Sequence, residues 1–154
     1  MNIVILAALL ALAIPAVAQS ESKTEVFSAA DIHGRLTQLA EQAKTRGSSG
    51  STLGEYGTHA IKLSERTVSG GAEIHVHFDD VMLVMEGKAT LITGGTIVDP
   101  HSAGEGELSG SGIRDGITQN LVPGDVVHIP AGTPHQLIVA PGTTYSALVV
   151  KIKE

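Results

Sequence analysis

Gly124-Asp125-Val126-Val127-His128-Ile129-Pro130-Ala131-Gly132-Thr133-Pro134-His135 is the stretch on which the reading of this chain turns. Its pattern is turn, strand, tight corner, strand. Gly124 and Gly132 supply permissive backbone, while Pro130 and Pro134 stiffen the corner that aims His135. Such a corner places one side chain at low entropic cost. Upstream, Glu73-Ile74-His75-Val76-His77-Phe78 alternates polar and apolar residues. Residues two apart on a strand project to one face, about 6.5–7 Å from each other. Glu73, His75 and His77 are therefore expected to share a face opposite Ile74, Val76 and Phe78. Two imidazoles on one face can meet a single metal ion if that face lines a cavity. Alone, the His-x-His pair is a weak signal, because strand histidines are more often surface or core groups.

The flanking sequence reads as strands. His59, Ile61 and Leu63 alternate with Ala60 and Lys62, and residues 81–85, 89–93, 126–129, 136–139 and 146–152 are further runs of strand length. Gly70-Gly71, Glu86-Gly87, Gly94-Gly95, Pro123-Gly124 and Pro141-Gly142 mark the turns between them. Many short strands with regular turns predict an all-β sandwich or barrel. One helix precedes it. Ser28-Ala29-Ala30-Asp31 forms a capping box, and Ile32, Leu36, Leu39 and Ala43 follow at helical spacing. An amphipathic helix over about 29–44 is predicted, weakened by Gly34. Gly47-Ser48-Ser49-Gly50-Ser51 is expected to be a flexible stop. Residues 96–120, rich in glycine and serine, are expected to form a long loop able to close over a barrel mouth, with a strand at 117–121.

Composition narrows the chemistry. The chain has 154 residues, 17% charged, with a formal net charge of -6. That balance argues against a nucleic-acid partner held on a basic surface. Without cysteine there are no disulfides, thiol nucleophiles or cysteine-bound metals. Phe27, Phe78, Tyr56 and Tyr145 are the only aromatics, too few for a broad stacking platform. Residues 3–14 are an uncharged apolar run too short to span a bilayer comfortably, and Pro15 with Ala16-Val17-Ala18 completes the pattern of a secretory signal. The expected division is a signal peptide at 1–18, a helix and linker at 19–54, and a β-barrel at 55–154. Periplasm or the cell exterior is the expected location, with no membrane attachment once the signal is removed.

The two histidine segments resemble the paired motifs of the cupin superfamily. Gly70 or Gly71, His75, His77, Asp80 and Gly87 stand for the first motif. Gly124, Pro130, Gly132 and His135 match the second position for position. The resemblance covers roughly residues 65–151 and implies a single cupin β-barrel or jelly roll carrying one N-terminal helix. It also implies a divalent transition metal (Fe, Mn, Ni, Cu or Zn) held by His75, His77, His135 and Asp80. Three departures stand out. The acid is aspartate where glutamate is usual, its spacer Phe78-Asp79 is short, and Val139 replaces a customary asparagine. The first two leave Glu73 in contention, as an alternative carboxylate or as a group orienting a ligand.

The resemblance implies a metal-dependent enzyme, similar to dioxygenases, isomerases or lyases, acting on a small oxygenated molecule. Asp80 and Glu73 are its candidate general bases. Neutral imidazole ligands imply that metal affinity falls as pH drops below about 6.5. A non-catalytic module binding a small ligand or metal, and a barrel with a degenerate site, are the alternatives. The sugar-epimerase branch is disfavoured, since cavity aromatics and a His–Asp dyad are not evident. A homodimer is the expected assembly. Among the remaining candidates, His128 reads as a packed or exposed strand residue, and His59 as cavity-facing only if its strand lines the barrel. His33 and His101 read as solvated, Tyr145 as core or rim, and Asp79 as a turn residue.

Overall fold

A computed structural model describes residues 23–154. The expected signal peptide at 1–18 and the first residues of the helix-and-linker segment lie outside them. The helix α1 runs Ala29–Arg46. Ser28 caps it, with its hydroxyl accepting from the Asp31 N–H at 3.1 Å and donating to the Asp31 carboxylate at 2.7 Å. Gly47 stops it in the left-handed region at φ 81°, its N–H bonded to the Ala43 carbonyl. The exposed Gly34 is absorbed in mid-helix because the apolar stripe holds the turn on either side.

Thirteen strands follow: β1 Ser48–Tyr56, β2 His59–Arg66, β3 Ala72–His75, β4 Phe78–Gly87, β5 Ala89–Thr93, β6 Thr96–Val98, β7 His101–Gly104, β8 Glu107–Gly110, β9 Gly112–Arg114, β10 Ile117–Leu121, β11 Val126–Ile129, β12 His135–Ile138 and β13 Tyr145–Lys153. A five-stranded sheet has the order β1-β2-β13-β4-β11 and a six-stranded sheet the order β10-β5-β12-β3-β8-β7, with β6 and β9 paired separately. All pairings are antiparallel. Val84, Ile129, Tyr145 and Ala147 from the first sheet pack with Leu91 and Leu121 from the second, forming the interior core. The helix covers the outer face of the five-stranded sheet, where Leu36 and Leu39 pack on Leu63. Burying each of those leucines stabilises the fold by about 1.5–3 kcal/mol.

Three expectations from sequence are corrected. The flexible stop at 47–51 is mostly strand: after Gly47, β1 pairs with β2 from Ser48 opposite Arg66 to Tyr56 opposite His59. Small polar residues suffice there, because β1 is an edge strand that satisfies its backbone through one neighbour. The loop expected at 96–120 is a chain of short strands. Its glycines serve close packing: a side chain at Gly110 would collide with Ile97 and the Val98 carbonyl. Finally, β3 ends at His75, and Val76-His77 form the turn into β4. That turn carries the chain from one sheet to the other, so the alternation joining His77 to His75 breaks there.

Candidate metal centre

Glu73 and His75 lie on one face of β3, as their spacing requires. The neighbouring β12 opens with His135, in register with Glu73. Asp80 comes from β4 in the opposite sheet. The corner ahead of β12 is pinned at three points. The Ala131 N–H donates to Asp79 Oδ1 at 2.7 Å, the Gly132 N–H to the His75 carbonyl at 2.8 Å, and the Gly94 N–H to the Pro134 carbonyl at 2.8 Å. Gly132 takes φ 75° at this corner, a conformation that strains most other residues.

Donor atoms of Glu73, His75 and His135 lie within 4.8 Å of one another. His75 Nε2 stands 3.7 Å from Glu73 Oε2 and 3.5 Å from Asp80 Oδ2, and His135 Nε2 stands 4.0 Å from the same Asp80 oxygen. The two rings are 5.1 Å apart between centroids. Each imidazole has its other nitrogen engaged. His75 Nδ1–H meets the Glu107 carboxylate, and His135 Nδ1–H donates to the Thr133 carbonyl at 3.0 Å. With Nδ1 engaged in each ring, both Nε2 atoms are turned toward the same space. Burial pushes the His135 pKa below its ordinary value, outweighing the Thr133 hydrogen bond, so this ring is neutral at pH 7.

Asp80 is buried and divided in its contacts. Lys151 Nζ lies 3.0 Å from Oδ1, as a charge contact without hydrogen-bond alignment, and among the described residues that oxygen has no hydrogen-bond partner. Oδ2 faces both imidazoles. Donor atoms bound about 2.1 Å from one ion stand about 3.0–3.4 Å apart, so the separations here, 3.5–4.0 Å for three pairs and within 4.8 Å across Glu73, His75 and His135, close by inward movement of the side chains. Two imidazoles plus carboxylate oxygen therefore fit a divalent transition ion. The group lines a cavity of about 290 Å³ with Met82, Leu91 and Leu137 on its apolar wall.

His77 is not part of this cluster. It is exposed in the β3–β4 turn, with its ring occupying the space over Gly106. His59 stacks on Tyr56 at 4.9 Å and lines a separate hollow. His128 is exposed, its Nε2 3.0 Å from Asp79 Oδ2. His33 is exposed on the helix and His101 on β7. Tyr145 is buried, its hydroxyl without a hydrogen-bond partner among the described residues and its pKa pushed up to about 12 by desolvation.

Three residues at the site had no clear sequence signal. Glu107, which orients His75, lies in the glycine-rich segment expected to be a loop. Asp79 is in β4, where it holds the corner; its hydrogen bonds from His128 and Ala131 lower its pKa. Lys151 sits in a strand identified by its apolar neighbours. Only the topology brings these residues to the histidines.

No known family description matches the sequence, and neither does any curated protein. Solved structures do match. An uncharacterized conserved protein with a double-stranded β-helix domain from Klebsiella pneumoniae is 14% identical, with TM-score 0.58, 85% of this chain covered and 91% of that one. The polyketide cyclase RemF from Streptomyces resistomycificus is 20% identical, with TM-score 0.51 and coverage of 71% and 67%. A sugar phosphate isomerase from a cupin superfamily, from Silicibacter pomeroyi, is 21% identical, with TM-score 0.51 and coverage of 75% and 65%. The present chain thus spans about two thirds of the length of the latter two. The architecture is a double-stranded β-helix. Its fold is that of the cupin superfamily, and the neighbours sharing it include enzymes.

Proposed function

We propose that this chain is a metal-dependent cupin enzyme acting on a small oxygenated molecule. The observation that carries the proposal is the pair of Nε2 atoms from His75 and His135, both facing a buried Asp80 carboxylate in one cavity. The cyclase and isomerase neighbours lend the fold a catalytic precedent; the donor set supplies the local argument. A bound divalent ion would supply Lewis acidity and open positions for an oxygen ligand.

The chain's own residues divide the remaining work. His75 and His135 present their Nε2 atoms as donors, oriented by Glu107 and the Thr133 carbonyl. Glu73 and Asp80 offer carboxylate oxygens, one as a ligand and the other as the group that takes a substrate proton. Lys151 sets its positive charge beside Asp80. The apolar wall of Met82, Leu91 and Leu137 limits water around the reacting group. Export and a homodimer belong to the same proposal, resting on residues 1–18 and on the exposed Leu83 and Val126, adjacent at the β11 edge. Cell fractionation and light scattering test those two points.

Elemental analysis tests the centre itself. Protein purified without added metal is expected to carry up to one equivalent of a transition ion, and His135→Ala to lose at least about 90% of it. A His75→Ala/His135→Ala double variant with undiminished metal content would reject the site. His77→Ala is expected to retain its metal.

A further inference from the structure

A second hollow of about 440 Å³ opens beside the first, and Lys62 and Lys151 line both. Lys153 and the rings of Tyr56, His59 and Phe78 line the outer one as well. Along β13, Val149, Lys151 and Lys153 share one face; Lys62 is in register with Val149, and Phe78 with Lys153. The ammonium groups therefore form a ladder from the cavity to the rim. Arg66 lines the inner cavity, so the two spaces take four of the chain's ten Lys and Arg residues against three acids, Glu55, Glu73 and Asp80, in a chain of net charge -6.

Protection of a sheet edge does not account for this placement, because β2 and β13 are interior strands. Among the described residues, neither Lys62 nor Lys153 has a carboxylate within 4.0 Å, and Lys62 is half-buried. A half-buried, unpaired ammonium costs stability unless an anion meets it. Among the described residues Glu55 is the one acid lining the outer hollow, against three lysines of which Lys151 also meets Asp80. We propose that the substrate is an organic anion, bearing a carboxylate or phosphate, which enters over Lys153 and Lys62 with its apolar body against Phe78 and Tyr56. This inference rests on the reading of the cavity as a small-molecule site and adds the charge class of its occupant.

Calorimetric titration with benzoate, phenyl phosphate and neutral benzyl alcohol tests it, on protein both as purified and after chelator treatment. At least one anion is expected to bind at least about tenfold more tightly than the alcohol, and the stronger anion identifies the headgroup. Lys62→Gln/Lys153→Gln is expected to weaken that anion about tenfold, while Lys44→Gln/Lys88→Gln, with the same change in net charge, shifts it less than about twofold. Lys153 is exposed, so Lys153→Gln alone carries the test should the double variant fold poorly; a loss of about threefold is expected. Equal affinity for alcohol and anions, no measurable anion binding, or equal losses in the two double variants would overturn the proposal. Metal content, measured on the same samples, separates its failure from that of the metal centre: absence of anion discrimination with metal present sinks only the anion proposal, and anion discrimination by protein that carries no metal as purified and takes none up when it is added sinks only the metal centre.

Discussion

Glu65 is a carboxylate in an apolar position. It lies on the face of β2 that carries Leu63 beneath α1 and is 3% exposed. Burial, and then the charge of Glu86, raise its pKa from 4.5 to about 7. The folded chain thus holds this proton more tightly than the unfolded chain does. The resulting stability is complete below about pH 4.5, declines as pH rises toward 7, and is absent above. At about 1.4 kcal/mol per pH unit, the shift corresponds to a loss on the order of 3 kcal/mol across that window. Glu65→Gln is expected to raise stability at pH 8 by up to that order and to change it little at pH 4.5. Urea denaturation at both pH values checks this; the same gain at each would show that the carboxyl's charge is not responsible.

The corner between β11 and β12 shows how an element serves the site. Asp79 binds the Ala131 N–H and meets His128, while Gly132 bonds to the end of β3. Asp79→Ala is expected to speed hydrogen exchange at the Ala131 amide selectively and to weaken metal binding about tenfold. Unchanged exchange at Ala131 would remove Asp79 from this role. Much of the corner was legible in sequence, because proline and glycine restrict or permit backbone angles locally. The helix was legible too, through Ser28, Asp31 and the apolar stripe. His77 misled because alternation assumes a continuing strand, and nothing in Val76-His77 announces a crossing between sheets. Residues 96–120 misled for a related reason. Glycine at a tight crossing and glycine in a free loop look alike until the opposing strand is known. Glu107 became readable as the partner of His75 only once β8 was paired with β3.

At the scale of the whole molecule, the donor set belongs to both sheets. Glu73, His75 and His135 come from the six-stranded sheet and Asp80 from the five-stranded one. Elsewhere the sheets meet through side chains such as Val84 and Leu91, which can slide and repack. An ion bound to His135 and Asp80 would act as a rivet through two plates, resisting their separation beside the oily core. Chelation is therefore expected to lower the melting temperature and hasten digestion by protease, while His77→Ala leaves both unchanged. If stripped and loaded protein melt together, the ion does not join the plates. If they differ, the cell could tell loaded molecules from empty ones by survival alone, because the empty barrel would be the first to be degraded.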